Sequence, residues 1–355
     1  MENFQRVQKI LKTLNLEAVL ISNGYNMRYI SGFAGATGYL YISDKRHAVL
    51  TDFRYTIQAE AEAKGYEIIT IGPGGYEEAI NDILQTEKVH RLGFEAEDML
   101  FASYTKLKDK LTVKELVPVG EEITFLRRIK TPTELGYIRR AEAIGDEAFA
   151  EILKEIKPGV TELEIAARLA FIMKMKGAQG ESFPAIVASG VNSSMPHAVP
   201  SQKKIENGDF LTMDFGCVYE GYCSDMTRTI VVGKASDKQK QVYNTVLKAQ
   251  LAALDFIKPG YKGKEVDRVA RDIIYSAGYE GCFGHGLGHS VGLFIHENPR
   301  FSMAEEEIIL AGMIETVEPG IYIKDFGGVR IEDLVVITEN GCENFAHSEK
   351  KLIEL

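Results

Sequence analysis

The sequence predicts an α+β protein of two domains: an N-terminal α/β domain over residues 1–122, and a larger domain over residues 123–355 made of two pseudo-symmetric α/β halves. Three observations carry this. Helical and strand patterns alternate through the first third of the chain. A break from Pro118 to Pro132 separates that third from the rest. In the remainder a Lys-Pro-Gly run occurs twice, at 157–159 and 258–260, each time after a helix and ahead of a glycine-rich hairpin.

In the first domain, residues 3–14 pattern as an amphipathic helix that runs into a buried strand at 17–22. Residues 38–43 and 46–51 form a hairpin turning at Ser43-Asp44-Lys45. Tyr55 to Lys64 is helical, Tyr66 to Ile71 extended, and Tyr76 to Gln85 helical again. Gly72-Pro73-Gly74-Gly75 lacks the GK[ST] ending of a phosphate loop and reads as a turn. The second domain opens on a helix with Thr131 as N-cap, Pro132 at the first helical position and Glu134 closing a capping box. That helix runs to about Ile156 and stops at Lys157-Pro158-Gly159; helix 237–257 stops at Lys258-Pro259-Gly260 in the same way. The hairpins that follow are LTMDFGCVYEGYCSDMTRTIVV (211–232) and MIETVEPGIYIKDFGGVRIEDLVVI (313–337).

Composition narrows the function. The 355 residues are 45% hydrophobic and 26% charged, as in an ordinary globular protein. A net charge of −10 without runs of like charge excludes a basic nucleic-acid footprint and disfavours an anionic membrane. No window approaches the roughly 18 apolar residues of a membrane span, and the charge scattered through the first twenty residues is unlike a signal peptide. Cys217, Cys223, Cys282 and Cys342 form no CxxC pair and read as buried thiols of a reducing, cytoplasmic compartment.

The chemistry gathers in the two hairpins. With a two-residue turn at Glu220-Gly221, Gly216 lies opposite Asp225, so Asp214 and Asp225 become same-face diagonal neighbours. Neither has an obvious basic neighbour on its face, and two such anions among Leu211, Met213, Phe215 and Ile230 call for a cation. In the second hairpin Glu318 ends an apolar strand and Glu332 starts the return strand, with Arg330 on the face of Glu332, where it could steady the acidic cluster. Four carboxylates so gathered make a hard, oxygen-rich site. Three of the seven histidines, His285, His289 and His296, fall within twelve residues. Glycines at 284, 286, 288 and 292 argue for an extended loop there rather than a helical zinc motif. His197 is a fourth candidate; His47, His90 and His347 lie in polar settings and read as surface residues.

The segments Ile186 to Gly190 through Pro196-His197, Met213 to Gly216, Ser224 to Thr229, Gly284-His285 through His296-Glu297, Val317 to Tyr322 and Val329 to Asp333 stand in family order and spacing. By them the whole chain resembles the pita-bread metallopeptidases, in particular the proline-specific branch of Xaa-Pro aminopeptidase (aminopeptidase P) and Xaa-Pro dipeptidase (prolidase). The resemblance implies two pseudo-two-fold α/β halves around a curved antiparallel sheet. It implies two divalent metal ions, most readily Mn2+ with Co2+, Fe2+ or Zn2+ as substitutes, held by Asp214, Asp225, His289, Glu318 and Glu332. A hydroxide bridging the metals would be the nucleophile. His197, His285 and His296 would contact substrate or the developing oxyanion, Glu318 would move the proton, and Tyr322 and Arg330 would support them. It also implies peptide substrates with proline second, and a homodimer in which the N-terminal domain mediates assembly and covers the active site.

Within the branch, the sequence favours the aminopeptidase, because no basic cluster stands out to hold a dipeptide's carboxylate. One loop arginine, such as Arg54, would suffice for the dipeptidase alternative. Methionine aminopeptidases would leave residues 1–122 unexplained. Creatine amidinohydrolase and the non-catalytic protein-binding modules of this fold lack the ligands present here.

Overall fold

Short runs of Val, Ile, Leu and Tyr build the first unit of the chain, Met1–Arg127, around one six-stranded sheet. The computed structural model describes residues 2–355. The strands are β1 (Ala18–Ile21), β2 (Tyr39–Ser43), β3 (His47–Thr51), β4 (Glu67–Thr70), β5 (Arg91–Glu95) and β6 (Glu115–Val119), in the order β4-β3-β2-β1-β5-β6. β2 is antiparallel to β1 and β3, and the other pairings are parallel. The helices are α1 (Glu2–Thr13), α2 (Gly24–Ser31), α3 (Thr56–Glu62), α4 (Gly75–Glu87) and α5 (Phe101–Lys110). The β2–β3 turn falls at Ser43-Asp44-Lys45 because the Ser43 hydroxyl accepts from the backbone N–H groups of Lys45 (3.1 Å) and Arg46 (3.0 Å). Gly72 to Gly75 is a plain turn, closed by Gly75 N donating to Gly72 O at 3.1 Å, that opens α4. His47 differs from its surface assignment: it is half-buried in β3 between the rings of Phe4 and Tyr66.

The unit boundary falls after Arg127, not at 122. The one-turn helix Thr124–Arg127 stays with the first unit because Tyr29 donates its hydroxyl to Leu126 O (2.8 Å) and Asn26 donates to Thr124 Oγ1 (3.2 Å).

The second unit, Arg128–Leu355, repeats one plan twice. The first half contains α6 (Pro132–Ile152), α7 (Glu162–Met175) and the strands β7 (Gly180–Glu181), β8 (Ile186–Ser189), β9 (Phe210–Phe215), β10 (Cys217–Tyr219), β11 (Tyr222–Cys223) and β12 (Met226–Val231). The second contains α8 (Asp237–Phe256), α9 (Gly263–Ser276), β13 (Gly288–Ser290), β14 (Glu297–Phe301), β15 (Ile314–Val317), β16 (Gly320–Ile323), β17 (Gly327–Arg330), β18 (Asp333–Ile337) and β19 (Cys342–Asn344). The Thr131 capping box forms as expected, with the helix ending at Ile152 in a turn rather than at 156.

The Lys-Pro-Gly repeat is structural. Gly159 and Gly260 take φ of 93° and 94°, a region open to glycine, and donate to Ile205 O and Ile309 O, both at 2.9 Å. Each half has its own apolar core. One packs Ile144, Phe149, Leu169, Met213 and Phe215; the other packs Val246, Val266, Ile274, Val317 and Val335. These are the two α/β halves that the resemblance implies. Among the described residues no helix is long and apolar enough to cross a membrane.

Candidate active site

The two hairpins deliver their acids by register. Tyr219 pairs with Tyr222 across the two-residue turn Glu220-Gly221, whose φ values of 49° and 82° suit a tight hairpin. The same register holds from Phe215↔Met226 to Phe210↔Val231, which places Gly216 across from Asp225 and makes Asp214 its diagonal neighbour. A Cβ on Gly216 would stand 1.9 Å from Ser224 O, so the strands close here only around glycine. In the second hairpin Val317↔Asp333 and Gly320↔Arg330 share one register. It sets Glu318 across from Glu332, where Pro319 has no N–H to continue the ladder.

The loop 284–296 is non-helical, as its glycines predict, with bends on either side of β13, which carries His289 into the same space. A Cβ on Gly288 would meet Thr316 O at 1.9 Å, so β13 lies directly against β15. All five predicted ligands, with His197, His285, His296 and Arg330, line one pocket of about 490 Å³. Tyr322 stands behind it. Arg330 Nη1 donates to Tyr322 Oη (2.7 Å), the tyrosine hydroxyl donates to His285 Nε2 (2.9 Å), and His285 Nδ1 donates to Gly286 O (2.7 Å). This order fixes the neutral tautomer, and burial brings His285 down to about 4.

Asp214 does have a basic partner, contrary to expectation: Arg330 Nη2 reaches its Oδ2 at 2.5 Å from the other hairpin. Threonines complete the frame. Thr227 donates to Glu332 Oε2 (2.6 Å) and accepts from Arg330 Nε (3.1 Å). Thr316 donates to Glu318 Oε1 (3.2 Å) and accepts from His289 N (3.0 Å). Behind Glu332, the buried Arg228 guanidinium donates to its backbone carbonyl and to Asp333 Oδ1.

Charge is left over at the centre. Burial first, and then mutual repulsion, pushes Asp225 and Glu332 well above the usual carboxylate range; burial chiefly raises Glu318 to about 8. His289 Nδ1 donates to Ser290 O (3.1 Å), so its Nε2 lone pair faces Asp225 Oδ2 at 3.5 Å and Glu318 Oε1 at 3.6 Å. Burial holds that imidazole neutral, at about 3. A lone pair facing two carboxylate oxygens is repulsive unless a cation lies between them. Asp225, His289 and Glu332 each bring one such atom within 4.8 Å of the others, and Asp214 Oδ1 and Asp225 Oδ1 are buried without a hydrogen-bond partner. The residues fit divalent cations, and the all-oxygen-and-imidazole set suits a hard ion.

Sequence reasoning missed Arg300, Phe183 and Val199, which also line the pocket. Arg300 had a legible signal. Residues 296, 298, 300 and 302 alternate along β14 and its flanks, and three of these four, His296, Arg300 and Ser302, face the cavity. Arg54, the arginine considered from sequence, pairs instead with Asp52 at 2.7 Å in the first unit.

Residues 136–339 match the model of metallopeptidase family M24, and residues 4–129 match the creatinase/prolidase N-terminal domain. The chain is 39% identical to the Xaa-Pro dipeptidase of Pyrococcus horikoshii, over 98% of this chain and 99% of that one. The solved structure of an Xaa-Pro dipeptidase from Bacillus anthracis superposes with a TM-score of 0.97 at 43% identity, covering 100% and 99% of the two chains. An X-Pro aminopeptidase from Thermotoga maritima gives 0.92 at 34% identity, covering 99% of each.

Proposed function

The chain belongs to metallopeptidase family M24, in its proline-specific branch, and on that premise we propose that it is an Xaa-Pro dipeptidase (prolidase). The observation that carries the choice over the aminopeptidase is Arg300. Two arginines line the pocket among the described residues. Arg330 is committed to Asp214, Tyr322 and Thr227, whereas the exposed guanidinium of Arg300 has no such partner and is open to the carboxylate of a bound dipeptide. Arg300 thus supplies the cation whose absence from the sequence reading favoured an aminopeptidase. The relatives named as dipeptidases support the same reading.

Asp214, Asp225, His289, Glu318 and Glu332 would hold two divalent ions, most readily Mn2+. When bound, such ions supply the positive charge that acidifies a water molecule and polarises a peptide carbonyl. The chain's own residues do the rest. Arg330 and Thr227 hold Asp214 and Glu332 in place from across the interface of the halves. His296 and His197, at the pocket wall, donate to the carbonyl oxygen as charge develops on it. Glu318 carries the proton to the departing prolyl nitrogen, which must be protonated to leave. Phe183, Pro184 and Val199 give the substrate an apolar wall, and an Xaa-Pro bond brings no N–H for that wall to satisfy. We further propose that the active form is a homodimer assembled through the N-terminal domain, to be read by light scattering.

The test compares kcat/KM for an Xaa-Pro dipeptide and an Xaa-Pro-Xaa tripeptide with the same first residue, in the manganese-loaded protein and in Arg300→Met. The dipeptide is expected to be preferred. Arg300→Met should cut its kcat/KM about 10- to 100-fold, the scale of a charged hydrogen bond, and affect the tripeptide less. Preference for the tripeptide would make this an aminopeptidase instead.

A further inference from the structure

A second charged pair lies outside the ligand set, behind the loop that carries His296. Lys130 enters from the segment ahead of α6 with its side chain 1% exposed, and its Nζ meets Glu297 Oε2 at 3.0 Å, where the carboxylate is 3% exposed. Its backbone N–H is tied to Gly312 O at 2.9 Å, so the ammonium is held by the body of the domain. The other oxygen of Glu297 accepts from Phe294 N at 3.2 Å. Glu297 also pairs across the sheet with Ser290, the neighbour of His289.

One carboxylate therefore closes the loop Ser290–Glu297, whose two ends carry His289 and His296 with ring centroids 4.6 Å apart. The fit around it is tight: a Cβ on Gly292 would stand 2.6 Å from the Glu297 carboxylate. The loop has a second tether, since Cys223 N donates to Gly292 O at 2.8 Å, two residues before Asp225. A desolvated ion pair is a costly way to hold a loop, and burying it makes sense where position matters more than stability.

We propose that Lys130 is a positioning residue for catalysis: through Glu297 it sets the loop that places His296 beside His289. His296 is otherwise held weakly, being exposed to the pocket and in contact chiefly with the rings of His289 and Phe294. Lys130 is not among the residues that line the pocket; it acts through the loop. This rests on the peptidase reading above.

The experiment has two arms on the manganese-loaded protein, with Lys130→Met and, should that variant fold poorly, the shape-preserving Glu297→Gln. The first arm is amide hydrogen exchange, which needs no substrate and so stands even if Xaa-Pro cleavage is not found. Exchange in residues 291–296 should speed up about 10-fold or more while the strand Phe210–Phe215 keeps its protection. Equal acceleration throughout, or none, overturns the proposal. The second arm is a double-mutant cycle with His296→Ala on an Xaa-Pro substrate. Lys130→Met should lower kcat about 10-fold or more with KM within about twofold, yet lower it less than about threefold when His296 is already gone. The same factor in both backgrounds, or loss of metal in Lys130→Met, means a general structural role and sinks the assignment.

Discussion

The two hairpins supply two acids each, but they hold them differently. In the first, Asp214 sits within a regular ladder and Asp225 just beyond it, on the diagonal. In the second, Glu318 and Glu332 face each other where proline interrupts the ladder. The counter-groups are exchanged between them: Arg330 of the second hairpin neutralises Asp214 of the first, and Thr227 of the first hydrogen-bonds Glu332 of the second. Asp225 receives neither. Its Oδ1 is buried without a hydrogen-bond partner, and its N–H is tied at 3.3 Å to Glu142, another buried carboxylate pushed well up by burial. A half of this domain is therefore incomplete alone, and the acid with least protein compensation is the one most dependent on bound cations.

The sharpest way to break that comparison is to delete one acid of the first hairpin at a time. Asp225→Ala should abolish Xaa-Pro hydrolysis, by more than about 10³-fold, since several kcal/mol of transition-state stabilisation depend on the cations. It should leave fewer than two metal ions by elemental analysis. Asp214→Ala should lose rate as well but retain one ion, because Asp225, His289 and Glu332 still converge. Full occupancy in Asp225→Ala would overturn its central place.

Metal removal should expose the repulsion as pH dependence. Carboxylates whose folded pKa is raised keep protons that the unfolded chain releases, so their contribution to stability is present at low pH and lost as pH rises. His285 and His289 act in the opposite sense: being lowered when folded, they cost stability as pH falls below about 6.5. Above about 6.5 the imidazoles fall silent, and the carboxylates remain. The metal-free protein should lose stability between pH 6.5 and 8, at about 1.4 kcal/mol per pH unit for each proton retained. Thermal melts with chelator should show this decline and added Mn2+ should remove it. A metal-free melting temperature flat across that window would mean that Asp225, Glu318 and Glu332 do not share one field.

Much of this site was legible in the sequence, and the limits have physical causes. Strand alternation and a two-residue turn were enough to put Gly216 across from Asp225, because register in a tight hairpin is local. The glycines of 284–292 argued correctly against a helix. What could not be read was contact between the halves: Arg330 meeting Asp214 spans 116 residues, and no local pattern encodes it. The same holds for Arg300, whose exposure to the cavity depends on where β14 lies. In the first unit, α2 depends on the Asn23 side chain capping Tyr25 N and Asn26 N, a signal present in the sequence but brief beside the long runs around it.

The subtlest difference between the hairpins lies in their threonines. Thr227 works across the interface of the halves and is fully buried, with a 2.6 Å bond to Glu332 and a second bond from Arg330. Thr316 works within its own hairpin, and its 3.2 Å bond goes to Glu318, which is partly open to the pocket. Replacing either by valine keeps the shape and removes only the hydroxyl. Thr227→Val leaves a buried guanidinium N–H and a buried carboxylate oxygen each short of a partner, at a cost of about 1–3 kcal/mol. Thr316→Val leaves His289 N unsatisfied, but water can reach Glu318, so about 1 kcal/mol is expected. Denaturant melts of the two metal-free variants decide it. If Thr316→Val costs as much as Thr227→Val, the exchange of partners between hairpins is not what holds the halves in register, and each hairpin sets its own acids.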